Sequence, residues 1–222
     1  MQSRGPMVYR TAHVGAALYV VGVLQFLVGM AWAEWLYPNP PGYSLTGNYI
    51  SDLGYPGGSA HAVVFNTSIR VLGVCAVLGA VLLTSAFVRK TSARIGIGSL
   101  VLAGIFAFLV GTFPEKTVIA GHYVHTLVSA GTFFFSGLAL VFLALAMLRD
   151  TRWGGYRTYT FLSGIVTWVA MGLFSGGIYL GIGEGGMERL VVAPILLWGL
   201  LAGVHVLRIP RFRPAPATES YS

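Results

Sequence analysis

Six apolar stretches, each long enough to cross a bilayer as a helix, constrain this chain more than anything else in it. A hydrocarbon core needs about 20 predominantly apolar helical residues. Such runs lie at Ala12 to Trp32, His61 to Val88, Ile95 to Phe113, Gly121 to Leu148, Tyr159 to Ile182 and Leu190 to Leu207. The predicted fold class is therefore all-α: a polytopic six-helix membrane bundle forming one domain over residues 1–222. Composition agrees, with 55% hydrophobic and 9% charged residues. A water-soluble domain carries about 25% charged residues to solvate its surface. This surface must instead face lipid.

Basic residues set the expected orientation. Sorting the connections alternately puts Arg4, Arg10, Arg89, Lys90, Arg94, Arg149, Arg152, Arg157, Arg208, Arg211 and Arg213 on one side, eleven of fourteen. That side is expected to be cytoplasmic and to hold both termini. The net charge of +7 is thereby assigned to the membrane and not to nucleic acid, for which no motif is present. Arg4, Arg10, the first apolar run and Ala31-Trp32-Ala33 have the layout of a signal peptide. The apolar run is long for one, which favours a retained helix. The single Cys75 excludes an internal disulfide. Twelve arginines against two lysines suggest a prokaryotic source, hence a plasma membrane.

The connections are unequal. The first outer one, about Ala33 to Ala60, is long and rich in aromatic residues, and is expected to form an ordered cap. Residues 213–222 are expected to be a disordered tail. Gly73, Gly79, Gly96, Gly98, Gly172, Gly176 and Gly177 are expected at helix crossings.

The polar residues are one-sided. Glu34, Asp52, Glu115, Glu184 and Glu188 all fall at the outer ends, with His61, His122 and His125. His13 and His205 fall at inner ends. Arg70 lies about 13 Å into the second helix at 1.5 Å per residue. Inserting an arginine that deep costs at least ~2.5 kcal/mol, so it should line a wet cavity or pair with Glu188 or Asp52. Asn66, four residues earlier, shares its face. His122 and His125, read as i, i+3 on the fourth helix, would share a face continued inward by Ser129 and Thr132. With Asp52, Glu115 or Glu188 that pair would suit zinc; without metal it would suit acid–base chemistry. Asp52 has a plainer role in ordering the loop Asn48-Tyr49-Ile50-Ser51-Asp52-Leu53-Gly54. Glu188 has one in stabilising a helix N-terminus after the turn Gly183-Glu184-Gly185-Gly186.

That loop, then Phe65-Asn66, then Val110-Gly111-Thr112-Phe113-Pro114-Glu115 and His122, resembles a family of prokaryotic six-helix membrane proteins of unknown function. The family in turn resembles the eukaryotic group of damage-regulated autophagy modulators, fibroblast-growth-factor-receptor-activating protein and Sfk-type proteins. The resemblance covers about Asn48 to Gly131. It implies lipid biology, through glycosylphosphatidylinositol-anchor remodelling and membrane-lipid asymmetry, and points at Ser51, Asp52, Asn66, Glu115 and His122.

Several functions fit these residues. An outer pocket could bind a membrane-lipid headgroup through Asn48, Asn66, Arg70, Glu115, Lys116, Glu188 and Arg189. An intramembrane hydrolase or transferase would use His122, Asp52 and Ser51, or zinc on His122, His125 and Asp52. An anion transporter would use Arg70. A haem would need pairs such as His13 with His205 or His61 with His122. The plainest reading is a cluster that staples helix ends. Oligomeric state is not legible.

Overall fold

The computed structural model describes residues 5–40, 42–87, 91–148 and 150–209. The expected tail at 213–222 lies outside these residues, as do Arg4, Arg89, Lys90, Arg149, Arg211 and Arg213. The six helices are α1 (Gly5–Trp35), α2 (Ala62–Leu83), α3 (Thr91–Thr112), α4 (Val124–Ala146), α5 (Tyr156–Ser175) and α6 (Gly183–Arg208). All six are long and apolar enough to cross a membrane. Outward positions such as Val21, Val28, Val63, Val74, Leu127, Val169 and Leu197 are exposed apolar side chains, as lipid contact requires. The chain is an integral membrane protein.

Each helix packs on its neighbours in chain order, and α6 returns to α1, closing a ring. Backbones approach closely where glycine permits. A Cβ on Gly73 of α2 would lie 2.6 Å from the Gly104 carbonyl oxygen of α3. Gly79 and Gly96 make similar crossings, whereas Gly98, Gly172 and Gly177 face open space, so the expected crossings fail there.

Both helix ends around the α5–α6 connection depart from the sequence reading. α5 ends at Ser175, not Ile182, because Gly177 adopts φ 71°. The Ile178 amide then bonds the Leu173 carbonyl and the Gly177 amide bonds that of Phe174, a Schellman termination. α6 starts at Gly183, seven residues before the apolar run, so Glu184 lies in its first turn and Glu188 in its second.

The two ends of the ring differ. At the basic end, Leu83, Ala86, Phe87, Leu140, Leu143, Met147, Trp153 and Val206 belong to one buried cluster. Phe87 stacks on Trp153 at 5.0 Å, and Arg152 pairs with Asp150 at 2.6 Å. At the acidic end the ring is covered by residues 36–40 and 42–61 of the long connection between α1 and α2.

Candidate functional site

The cap is built around a short 3-10 turn, Ser51–Gly54. Asp52 Oδ2 accepts from the Asn48 amide side chain at 3.0 Å and from the Tyr49 backbone at 2.9 Å. These bonds turn the chain before the 3-10 segment, the loop-ordering role expected of an Asx residue. Ile50 and Leu53 then insert among Phe26, Ala33 and Phe65 as a plug. Gly54 ends the turn against α2. A Cβ there would overlap the Asn66 amide and the Phe65 ring, so only glycine fits. Its carbonyl accepts from buried Asn66 Nδ2 at 2.8 Å. The Ile-Ser-Asp-Leu-Gly run and Asn66 are therefore one packed unit.

The first two turns of α6 clamp the cap. Arg189 Nη1 donates to the carbonyls of Leu45, Asn48 and Gly185, and Nη2 donates to Tyr43 Oη at 2.6 Å. Tyr43 in turn donates to the Tyr49 carbonyl, and burial pushes its hydroxyl up to about 12. Tyr49 donates to Glu184 Oε2 at 2.8 Å. Glu188, buried, accepts from the Ile50 amide. Gly185 lies so near the Asn48 carbonyl that a Cβ would collide with it.

The segment between α3 and α4 approaches the cap from the other side. Lys116 Nζ sits 4.1 Å over the Tyr55 ring. Glu115 Oε2 is buried with no donor to accept from. Its carboxyl lies close to Asp52, whose charge disfavours a second negative charge beside it. Burial first, then the neighbouring Asp52, raise Glu115 to about 7.

Beneath the cap, inside the ring, is a cavity of about 110 Å³. Its walls are mainly apolar, including Phe26, Phe65, Leu72, Ala103, Ala107 and Leu196. Ser51 and Glu188 contribute from the cap side, and Ser129, Thr132 and Ser136 form a polar strip on α4. A second apolar hollow of about 230 Å³ lies between α1 and α6, headed by Arg189. It shares Val23, Ile50, Val192 and Leu196 with the central cavity.

Asn48, Ser51, Asp52, Asn66, Glu115, Glu188 and Arg189 thus gather in and under the cap. Arg70 does not join them. Its Nε donates to the Gly111 carbonyl at 3.0 Å, and among the described residues it makes no ion pair. The expected pairing with Asp52 or Glu188 is replaced by capping of the α3 C-terminus, where a cation meets the negative end of the helix dipole.

The histidine pair is corrected as well. α4 begins at Val124, and His122 lies exposed on the second strand of a small hairpin, Val118–Ile119 with His122–Tyr123. His122 and His125 therefore share no helical face, which removes the geometric basis of the zinc site with Asp52. Among the described residues no three His, Cys, Asp or Glu side chains are placed to hold a metal ion. Nor does a hydrogen bond join His122 to Asp52 or Ser51 among those residues. His13 and His205, named for haem, bond the carbonyls of Ile209 and Arg152 at the basic end.

The pairing of Tyr43 with Arg189, of Tyr49 with Glu184 and of Gly185 with Asn48 was not legible, since these partners lie far apart along the chain. The one available signal was Arg189, whose five donors require acceptors wherever it is partly buried. Comparison with curated proteins and with solved structures finds no match. A family model described as protein of unknown function (DUF998) matches residues 20–205, most of the chain, and the chain belongs to that family.

Proposed function

We propose that this protein binds a membrane lipid, holding an acyl segment in the central cavity with the lipid's polar part under the cap. One observation carries the reading: an apolar hollow inside the helix ring, whose few polar groups lie at its cap side, along one strip of α4 and at Tyr19 of α1. A cavity of that character favours an apolar occupant over water. The α1–α6 hollow, which shares walls with it, supports lateral access from the bilayer. The earlier resemblance over Asn48 to Gly131 supports the same lipid biology.

The basic end faces the cytoplasm in this reading, by the bias of its arginines. The cap then faces outward and the lipid comes from the outer leaflet. The packed cluster at the basic end favours binding over passage through the bundle, and Arg70, engaged on Gly111, lends no support to an anion path. Arg189 acts chiefly as the clamp of the cap, so polar recognition falls to Ser51, Glu188 and the α4 strip.

The test is lipid retention. Ala103 and Ala107 line the cavity with small side chains. Ala107→Phe, and separately Ala103→Phe, would fill it. Protein purified in mild detergent is expected to carry lipid detectable by extraction and mass spectrometry. Each variant should carry at least about tenfold less, which needs a loss of only ~1.4 kcal/mol of binding free energy. A wild-type protein that carries no lipid sinks the reading.

A further inference from the structure

The structure assigns a second role to the α4 strip: we propose that Ser129 is an acyl-accepting nucleophile, with His125 as its base, acting on a fatty-acyl ester of a membrane lipid. The inference rests on the cavity holding an acyl chain.

The geometry begins at His125, buried in the first turn of α4. Its Nδ1 lies 2.8 Å from the Phe113 carbonyl oxygen. A carbonyl only accepts, so Nδ1 carries the hydrogen and donates it. The neutral ring then has its lone pair on Nε2. Nε2 lies 3.3 Å from Ser129 Oγ, and the serine hydroxyl is the donor in that bond. Four residues separate the pair, the spacing that stacks side chains along one helix face. Hydroxyl, base and orienting acceptor thus stand in series, the arrangement by which a serine is activated. The orienting group here is a main-chain carbonyl just past the end of α3, fixed by the fold itself.

Position adds the substrate class. Ser129 lines the central cavity, whose walls are otherwise mainly apolar. An ester entering with its acyl chain in this hollow would bring its carbonyl to the polar strip. Ser51 lines the same cavity, and among the described residues its hydroxyl has no hydrogen-bond partner. It is available to donate to the developing oxyanion.

The chemistry balances without a metal or redox partner. Ser129 Oγ attacks the ester carbonyl carbon while its proton passes to His125 Nε2. The tetrahedral intermediate collapses, the carbon–oxygen ester bond breaks, and the departing alkoxide takes that proton from Nε2 and leaves as an alcohol. The acyl group remains on Ser129. Water, or a hydroxyl of a second lipid, then attacks the acyl-serine and gives its proton to Nε2. The proton returns to Ser129 Oγ as the acid or the new ester departs.

The experiment uses the full chain in lipid nanodiscs and a long-chain alkyl fluorophosphonate. Intact mass and peptide mapping are expected to place one adduct on Ser129. Ser129→Ala should abolish it, and His125→Gln should slow its formation at least about tenfold, the low end of what a general base supplies being larger. Thr126→Ala, an exposed position on the same turn, should label as wild type. Thermal unfolding of each variant keeps loss of folding apart from loss of reactivity. No adduct on a folded wild-type protein, or an adduct that survives Ser129→Ala, overturns the inference. Retained lipid is measured in the same samples. Lipid present without an adduct removes the nucleophile alone; neither lipid nor adduct removes the cavity reading too.

Discussion

Asn66 sits inside a membrane helix with its amide committed to one loop carbonyl, Gly54. Replacing it by alanine leaves that carbonyl buried without a donor. The expected cost is about 1–3 kcal/mol. A lower unfolding temperature in detergent, with protease cleavage advancing first within residues 36–61, would confirm it; unchanged cap protection would show the bond to be dispensable. The same residue illustrates what a sequence conceals. Its depth and its polarity were legible, and they suggested a helix face shared with Arg70. The two side chains instead serve different neighbours, Asn66 the cap and Arg70 the last turn of α3. Polarity inside an apolar helix announces that a partner exists, while only the packing of other elements decides which one.

At the scale of elements, the junction between the cap and the α3–α4 segment should respond to pH. Glu115 is raised from its ordinary 4.5 to about 7, chiefly by burial and then by Asp52, against the opposing charge of Lys116. The folded state thus holds a proton that the unfolded chain releases earlier. Stability from this group is complete below about 4.5 and is lost as pH rises through about 7. Hydrogen exchange of the cap amides, corrected for intrinsic rate, should show more protection at pH 5.5 than at pH 8. Glu115→Gln should flatten that difference, and greater protection of the wild type at pH 8 would refute the raised carboxyl. The same segment explains the misread histidines. Val118, Ile119 and Tyr123 prolong the apolar run, so residues 121–123 read as helix. Lys116, Ala120 and Gly121 take positive φ and turn the chain into a hairpin instead. Hydropathy registers apolar side chains and says nothing of backbone handedness.

For the whole molecule, sidedness is the property to measure. In a Cys75→Ser background, Ala60→Cys on the cap and Thr151→Cys at the basic end are both exposed. An impermeant maleimide applied to right-side-out vesicles should label the first directly and the second only after lysis; the opposite pattern would invert the orientation and the leaflet. The six spans and the polarised charges were legible because both are averages over many residues. The clamp was not, because Arg189 meets Leu45 and Asn48 only after the ring has closed. That closure has an uneven character. Five of the six contacts around the ring join helices already tied by a connecting segment, while α1 and α6 meet with no such tie. A zip fastened along one edge opens there first: parting α1 from α6 stretches no peptide, and the hollow beneath Arg189 already marks the line along which it would part.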